Sequence, residues 1–253
     1  MYCQIDLIKE INLSCSIIDL HMHIVPSYDD GARNLNESLE MLKIAERQGV
    51  TDIFCTSHRG CTIEDTVDYL ANFKLLKENA LKEDIKVNLH KGCEILTSGD
   101  DVDSILYGIE KGMFPTLGQT KYVLIEFYPD TMPSEATKIV QKVVDKGYAP
   151  IIAHMERNYN LSEMMIGLLI KMGALIQVNA FSFAEEGNSI LRNKARSLLS
   201  KKYIHFIGSD AHGINHRPPK ISSGVEYIIN NVEQEYATEI LSGNANNLIL
   251  KRG

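Results

Sequence analysis

The sequence lacks the features by which membrane and secreted proteins are usually recognised. In its 253 residues, no apolar run reaches the length of about 18 residues that a membrane-spanning helix needs. The apolar stretch at the N-terminus is interrupted by Asp6, Lys9 and Glu10, so it does not resemble a secretory signal peptide. We therefore predict a cytoplasmic protein with no membrane insertion.

Cysteine is too scarce and too irregularly spaced for a disulfide framework. The chain has five cysteines, an odd number, and none of them is paired as C-x-x-C: Cys3, Cys15, Cys55, Cys61 and Cys93. None of them begins the C-x5-R loop of phosphatases that use a cysteine nucleophile. A reducing compartment therefore suits this chain better than an oxidising one.

Motifs for nucleotide binding and for serine hydrolysis are also missing. The chain has no dinucleotide-binding glycine fingerprint, no P-loop and no G-x-S-x-G sequence. Its 26 basic and 33 acidic residues give a net charge of -7. A general binder of nucleic acids is normally basic, so we predict no nucleic-acid partner.

What the sequence does contain is an alternation of short apolar runs with amphipathic stretches. Each run is rich in aliphatic or β-branched residues, as expected for a parallel strand that is buried on both faces. A helix is predicted after the fourth run, beginning at Pro133 and ending at Gly147. Seven strands are predicted, over residues 16–20, 52–56, 87–92, 122–125, 149–153, 174–178 and 205–208.

Seven β/α units in a chain of this length favour a closed α/β barrel. An open doubly wound sheet is the alternative architecture. No low-complexity linker or short repeat interrupts the pattern. We therefore predict one domain over residues 1–253, with a short N-terminal extension over about residues 1–16.

Residue types that bind metals follow almost every predicted strand. The exception is the sixth strand, which ends in Gln177-Val178-Asn179. In a barrel these strand ends converge on one mouth, where active sites are built. Imidazole and carboxylate together suit divalent ions such as Mn, Fe or Zn. The histidines and carboxylates at these ends are Asp19, His21, His23, His58, Glu94, Glu126, His154, Glu156, Asp210 and His212.

The order of these residues resembles the motifs of the PHP (polymerase and histidinol phosphatase) superfamily, from about Ile17 to the C-terminus. The shared elements are His21-Met22-His23, Thr56-Ser57-His58, Glu94, His154 and Ser209-Asp210-Ala211-His212. Further segments are similar to the CpsB/CapC group of bacterial protein-tyrosine phosphatases: Asp29-Asp30-Gly31, Thr56-Ser57-His58-Arg59, Pro115-Thr116-Leu117, Tyr122-Val123-Leu124-Ile125-Glu126-Phe127, His154-Met155-Glu156-Arg157 and Arg217-Pro218-Pro219. The resemblance implies a distorted seven-stranded (β/α)7 TIM-like barrel.

The resemblance also implies three divalent metal ions, with Mn²⁺ preferred and Fe, Zn or Mg as alternatives. The resemblance favours the tyrosine-phosphatase branch, because this chain has the carboxylates Asp30 and Glu126 at two positions where histidinol phosphatases have histidines. The implied ligands are His21, His23, Glu94 and Asp210 for the first ion, Glu94, Glu126 and His154 for the second, and Asp30, His58 and His212 for the third.

The implied function is hydrolysis of phosphotyrosine by a metal-activated hydroxide. Closely spaced divalent ions lower the pKa of a bridging water, so no phosphoenzyme is needed. Arg157 and Arg217 are candidates for binding the phosphate, because a guanidinium matches its oxygens. His212 is the third candidate catalytic residue. The implied substrate is a tyrosine autokinase that regulates capsular or exopolysaccharide synthesis.

Two other functions remain open at this stage. One is a small-molecule phosphomonoesterase of the same superfamily, such as histidinol phosphatase, and the other is a metal-binding scaffold without catalysis. Asp19 is expected to orient a ligand histidine, and Asp29 to shape its loop rather than to bind metal. Arg59 is either a substrate contact or a solvated loop residue. The sequence leaves the oligomeric state open.

Overall fold

A computed structural model describes residues 16–58 and 62–250 of the chain. The predicted N-terminal extension, apart from Ser16, lies outside the described residues, and so does Arg59. The metal-ligand candidates, Arg157 and Arg217 all lie within them.

The described residues form eight strands, and every pair of neighbouring strands is parallel. The strands are β1 Ile17–Met22, β2 Val50–Cys55, β3 Asn88–Lys91, β4 Glu94–Thr97, β5 Tyr122–Phe127, β6 Ala149–Ile152, β7 Leu175–Asn179 and β8 Phe206–Gly208. They belong to two sheets, one with the order β1-β2-β3 and one with the order β4-β5-β6-β7-β8. The α/β class and the parallel pairing predicted from the sequence are confirmed.

The predicted seven-stranded closed barrel is not confirmed, because the described residues form eight strands in two sheets. Residues 87–92 were predicted as one strand, but the chain forms β3 and then, after Gly92 and Cys93, the additional strand β4. At the break, the backbone groups of Gly92 bond to the Tyr69 hydroxyl: Gly92 N donates to it at 3.2 Å, and Gly92 O accepts from it at 2.9 Å. An alternation pattern cannot reveal such an interruption, because it depends on a distant residue.

The two sheets meet through single residue pairs rather than through continuous ladders. Met22 pairs with Ala211 in parallel, which joins the end of β1 to the residues after β8. His58 pairs with Glu94, which joins the residues after β2 to the start of β4. Both contacts lie among the candidate metal ligands. The described strands therefore surround a common centre without forming one closed sheet.

Nine α-helices connect or follow the strands in the described part of the chain. They are α1 Leu35–Arg47, α2 Ile63–Lys82, α3 Val102–Glu110, α4 Pro133–Asp145, α5 Glu163–Lys171, α6 Ser189–Ser200, α7 Ser222–Asn231, α8 Gln234–Thr238 and α9 Asn244–Leu250. Short 3-10 turns cover Leu117–Gln119, Met155–Arg157 and Ala180–Phe183, and Glu239–Gly243 is a π-helical turn. None of these helices is both long and apolar enough to cross a membrane.

Local sequence signals explain where several helices begin and end. The Asn34 side chain accepts the Glu37 N–H at 3.0 Å before α1, and Thr62 and Asp65 form a reciprocal capping box before α2. Pro133 begins α4, as predicted, where its missing N–H has no cost. Gly147 follows this helix with φ 83°, which permits the turn into β6.

Two hydrophobic cores hold the sheets and helices together. The larger core packs helix residues such as Leu42, Ile139 and Leu198 against one face of the strands. The smaller core contains residues from β1, β2, β5, β6 and β8, and therefore from both sheets: Ile18, Leu20, Phe54, Leu117, Leu124, Ile151, Ala153, Phe206, Ala245 and Leu248. The strand residues of the smaller core precede the ligand candidates in the chain, so the site lies at the carboxyl ends of the strands.

Candidate metal centre

The candidate ligands converge in three overlapping groups. In each group the ligand atoms lie within 4.8 Å of one another: His21, His23, Glu94 and Asp210; His23, Asp30 and His58; and His58, Glu94 and Glu126. The first group has the same members as the first metal site that the resemblance implies. Neighbouring groups share His23, His58 or Glu94, so the three groups form one cluster.

Glu94 is the centre of this cluster. Its Oε2 lies 3.1 Å from His21 Nε2 and 3.0 Å from His23 Nε2, and its Oε1 lies 3.0 Å from His154 Nε2. The Glu94 side chain is 1% exposed. The two imidazole Nε2 atoms of His21 and His23 are only 3.0 Å apart. Several lone-pair donors therefore point at the same small volume, which is the arrangement that a cation requires.

Glu94 also belongs to the group with His58 and Glu126. Glu126 Oε1 is 3.4 Å from His154 Nε2, and Glu126 Oε2 is 4.0 Å from His58 Nε2. His58 Nε2 also lies 3.6 Å from Glu94 Oε2. The structure thus brings the implied second set, Glu94, Glu126 and His154, together and adds His58 to its edge.

The group of His23, Asp30 and His58 only partly reproduces the ligand set implied for the third ion. Asp30 and His58 converge with His23 rather than with His212. His212 is nevertheless close, because its Nε2 lies 3.6 Å from Asp30 Oδ1 and its ring stacks on His23 with centroids 3.9 Å apart. The Asp30 side chain is 65% exposed, so this part of the cluster faces solvent.

Backbone hydrogen bonds between elements bring these ligands together. Asp210 N donates to His21 O at 2.7 Å, and His23 N donates to Ala211 O at 3.0 Å, which fixes the end of β1 against the residues after β8. Glu94 N donates to Thr56 O at 3.0 Å, which fixes β4 beside the end of β2. The distance between ligands from different strands is therefore set by main-chain contacts.

Three of the seven non-glycine residues with positive φ in the described part of the chain are candidate site residues. His154 has φ 29°, and Asp210 and Arg217 both have φ 52°. Positive φ is uncommon for residues other than glycine, and it persists where the surrounding structure enforces it. Three candidate site residues are thus held in a conformation that their own side chains disfavour.

Two supporting residues at the end of β7 were missed by the sequence argument, which noted only that this strand lacks a histidine or carboxylate. Gln177 Oε1 lies 3.3 Å from His21 Nδ1 and accepts the His154 N–H at 2.7 Å. Asn179 Nδ2 donates to Asp210 Oδ2 at 3.0 Å. Two buried amides at positions i and i+2 of an otherwise apolar strand were the signal that could have identified them.

Two aspartates contact His21 in β1 and His23 just after it. Asp29 Oδ2 is 2.8 Å from His23 Nδ1 and accepts the His58 N–H at 2.8 Å, so Asp29 orients one imidazole as well as shaping its loop. Asp19 Oδ1 accepts the backbone N–H groups of His21 at 3.1 Å and of Ser209 at 2.8 Å. Asp19 therefore positions the main chain of a candidate ligand rather than its ring.

The electrostatics of the cluster favour bound positive charge. Burial would lower the pKa of His23, but its hydrogen bonds with Asp29 and Glu94 outweigh burial and raise the pKa to about 10. Burial raises the pKa of Glu126, and the neighbouring Glu94 carboxylate raises it further. Both shifts reflect the negative charge of the neighbouring carboxylates, which a bound divalent ion would neutralise.

Two arginines approach the cluster from the opposite side of Asp210. Arg157 and Arg217 each place one terminal guanidinium nitrogen 2.5 Å from Asp210 Oδ2, whereas Asp210 Oδ1 lies 3.5 Å from His21 Nε2. Both arginines line a cavity of about 360 Å³, together with Phe181, Lys220 and other residues. We call this cavity the anion pocket. Asp210 lines this pocket and also belongs to the histidine and carboxylate cluster, so the two sites adjoin.

Gly31 is expected to be essential for the loop that supplies Asp29 and Asp30. A Cβ at this position would lie 2.2 Å from the backbone oxygen of His23, so Gly31→Ala must displace the loop. We expect the metal affinity, measured by calorimetric titration, to fall by about 10- to 100-fold, as when outer-shell partners are lost. Gly243→Ala is the control, because its Cβ would make ordinary contacts of 3.4 Å or more. Equal metal affinities for the two variants would contradict this prediction.

With this geometry established, comparisons with known proteins assign the family. The model of the family described as "Capsular polysaccharide synthesis, CpsB/CapC" matches residues 17–250. The chain belongs to the CpsB/CapC family. The resemblance found in the sequence is therefore confirmed over the same part of the chain.

Curated relatives of the CpsB/CapC family match this chain over most of their length. Tyrosine-protein phosphatase CpsB of Streptococcus agalactiae serotype V is 30% identical over 243 residues, which cover 92% of this chain and 98% of the relative. Tyrosine-protein phosphatase YwqE of Bacillus subtilis is 32% identical over 228 residues, which cover 88% and 87%.

A solved structure from the same family also has the same fold. It comes from the crystal structures of YwqE from Bacillus subtilis and CpsB from Streptococcus pneumoniae, which are described as metal-dependent tyrosine phosphatases. The TM-score is 0.81 at 31% identity, covering 92% of this chain and 94% of the solved one. The lactonase Lmo2620 from Listeria monocytogenes, at 11% identity and a TM-score of 0.60, shares the fold alone.

Proposed function

We propose that this CpsB/CapC-family protein is a metal-dependent protein-tyrosine phosphatase. The observation that supports this function most strongly is the position of Asp210. One of its oxygens faces His21 and His23, and the other is held by Arg157 and Arg217. Residues that would hold cations thus lie next to two guanidiniums. This arrangement suits a phosphate monoester, which must be held by positive charge on several oxygens.

The residues present would hold three divalent ions, and we propose Mn²⁺ as the ion. His21, His23, Glu94 and Asp210 would hold the first, Glu94, Glu126 and His154 the second, and Asp30, His58 and His212 the third. When bound, such ions supply positive charge that acidifies water and neutralises the phosphate oxygens. The convergence of these side chains supports this assignment.

The protein's own groups orient the phosphate and the proton acceptors. Each guanidinium has five N–H donors, so contact with Asp210 leaves Arg157 and Arg217 donors for phosphate oxygens. His212 Nδ1 lies 2.9 Å from the Asp210 carbonyl oxygen, to which it donates, so Nε2 is left with a free lone pair. Burial lowers the pKa of His212 to about 4, and the charge of His23 acts in the same direction. His212 is therefore neutral at pH 7, able to bind a cation or to accept a proton.

The leaving group makes a dedicated acid less important. A tyrosine leaves as a phenolate whose conjugate acid has a pKa of about 10, so it is expelled more easily than an alkoxide. We propose that the substrate is a phosphotyrosine protein, specifically a tyrosine autokinase that controls capsular or exopolysaccharide synthesis, in the cytoplasm. The names of the curated relatives support phosphotyrosine rather than histidinol phosphate or a non-catalytic scaffold. We also propose that residues 1–253 form one domain.

The purified full chain is expected to hydrolyse a phosphotyrosine peptide in the presence of Mn²⁺. We expect kcat/KM for this peptide to exceed that for histidinol phosphate by roughly 100-fold. A chelator should reduce turnover by roughly 1,000-fold, because no protein nucleophile replaces the metal chemistry. Restoration of activity by added Mn²⁺ is the control. Strong hydrolysis of histidinol phosphate without hydrolysis of phosphotyrosine would overturn the proposed function.

A further inference from the structure

A second cavity of about 560 Å³ adjoins the anion pocket. The two cavities share Arg157, Asn188 and Leu191 as wall residues. We call the second cavity the side cleft. Since Arg157 also contacts Asp210, the side cleft leads directly from the candidate reaction centre along the surface between the residues after β6 and the start of α6.

The side cleft presents large apolar side chains to solvent. Tyr159 is 71% exposed and Ile190 is 74% exposed, and both line the cleft beside the more buried Leu161 and Leu191. Single exposed apolar residues are common on protein surfaces and need no explanation. Two of them on the walls of one cavity that opens beside a reaction centre form an apolar binding surface.

Tyr159 is exposed even though its backbone is fixed. Its N–H donates to Pro129 O at 3.3 Å, and the preceding side chain of Asn158 donates to Tyr128 O at 2.9 Å. Asn158 Oδ1 in turn accepts the Leu161 N–H at 3.1 Å. Because its backbone is already held, only the side chain of Tyr159 has to be ordered when it binds a partner, so it is a favourable anchor.

Ile190 is fixed in a similar way at the start of α6. The Asn188 side chain accepts the N–H groups of Ile190 at 2.9 Å and of Leu191 at 3.3 Å. The Arg192 guanidinium donates to the carbonyl oxygens of Glu185 at 2.8 Å and Gly187 at 3.2 Å, which supports the preceding loop. The backbone that carries each apolar wall of the side cleft is therefore held in place.

Charged residues of the side cleft have partners inside the protein. The Lys194 ammonium donates to Asn158 O, and Glu163 forms an ion pair with Lys201 at 3.2 Å and accepts the Ser197 hydroxyl. A ligand would therefore gain little from these charges, because it would have to displace existing contacts. The free surface that remains for a ligand is the apolar wall of Tyr159 and Ile190.

We propose that the side cleft binds the polypeptide next to the phosphotyrosine, with an apolar side chain of that segment between Tyr159 and Ile190. The proposal rests on the proposed phosphatase function and extends it to recognition of the substrate chain. The shared wall residues support a peptide as the occupant, because a chain attached to a phosphate beside Arg157 would continue into this cleft. Tyr159 and Ile190 would then determine which phosphotyrosine sites are hydrolysed, without contacting the phosphate.

The test compares a short substrate with a peptide substrate. The Mn²⁺-loaded full chain and its variants Tyr159→Ser and Ile190→Ser are assayed with p-nitrophenyl phosphate and with two phosphotyrosine peptides. One peptide has leucines on both sides of the phosphotyrosine, and the other has serines there. Leu81→Ser is the matched control, because Leu81 is 80% exposed on α2 and does not line either cavity.

Each cleft variant is expected to lower kcat/KM for the leucine peptide by about tenfold, mainly through a higher KM, as for an interface anchor residue. Turnover of p-nitrophenyl phosphate should stay within about twofold of the unsubstituted chain, since that substrate has no flanking polypeptide. The serine peptide should respond less than the leucine peptide, and Leu81→Ser should affect none of the three substrates.

Two results would overturn the proposal while leaving the phosphatase function intact. One is an unchanged KM for the leucine peptide in both cleft variants. The other is an equal loss of activity on all substrates, which would mean that these residues support the centre structurally or join two copies of the chain. If the unsubstituted chain failed to hydrolyse any of the substrates, the proposed function itself would be wrong, and this inference would fall with it.

Discussion

Replacing Glu94 with glutamine is expected to lower turnover of p-nitrophenyl phosphate by roughly 1,000-fold or more without unfolding the protein. The amide has the same shape as the carboxylate but lacks its negative charge, and its NH2 group cannot accept a hydrogen bond. Glu94 oxygens lie 3.0–3.1 Å from the Nε2 atoms of His21, His23 and His154, so one substitution disturbs the ligands implied for both the first and the second ion.

Three measurements check this prediction together. Bound metal is counted by mass spectrometry, activity is measured as kcat, and folding is followed by thermal unfolding. Glu78→Gln is the matched control, because Glu78 is 54% exposed and pairs only weakly with Lys74 at 3.8 Å. If Glu94→Gln kept more than about a tenth of the activity, the reaction centre would have to lie elsewhere, since a shared ligand cannot be dispensable.

The second large effect is expected from the two arginines. We expect Arg157→Gln and Arg217→Gln each to lower kcat/KM by roughly 100-fold, because each removes a charged donor from the phosphate site. The inhibition constant of inorganic phosphate should rise in both variants. Both guanidiniums contact the same oxygen, Asp210 Oδ2, so the double variant should lose less than the product of the two single effects.

Phosphate inhibition separates the two roles that these arginines can have. If they bind the phosphate, product inhibition weakens in both variants. If they only neutralise Asp210, the metal affinity changes and the phosphate inhibition constant does not, which would contradict the proposed role. Arg47→Gln is the control, because Arg47 is an exposed residue in the last turn of α1.

The strand pattern could be read from the sequence because it is local. A run of buried β-branched and aliphatic residues predicts a parallel strand wherever it occurs, and the seven predicted runs each overlap a strand of the structure. The additional strand β4 was not predicted, since its four residues follow the Gly92-Cys93 break and begin with Glu94. Whether the strands close into a barrel depends on pairing between residues far apart, and no local pattern determines it.

The candidate ligands were also predictable to a large extent. Histidines and carboxylates at the carboxyl ends of parallel strands must lie near one another, because these ends share one edge of the fold. The structure brings the predicted ligands together in one cluster. It groups Asp30 and His58 with His23, whereas the resemblance had joined them with His212. Which of these neighbouring side chains share one ion site depends on their orientation, and the order of the strands does not determine it.

The supporting residues were not predictable in the same way. Gln177 and Asn179 are ordinary polar residues in the sequence, and only the approach of β7 to His21, His154 and Asp210 gives them a role. Tyr159 and Ile190 likewise belong to no sequence motif. Their proposed role in binding the substrate polypeptide depends on their exposure and on the cavity that both of them line.

The sequence by itself thus determined the α/β class, the family and the residues whose chemistry suits a divalent metal. These are properties of composition, alternation and order along the chain. The tertiary structure decided how the strands divide into two sheets, that Asp210 faces histidines on one side and arginines on the other, and that His154, Asp210 and Arg217 adopt positive φ. The physical reason is that these features depend on hydrogen bonds and packing between segments remote in sequence, such as Asp210 N–H with His21 O.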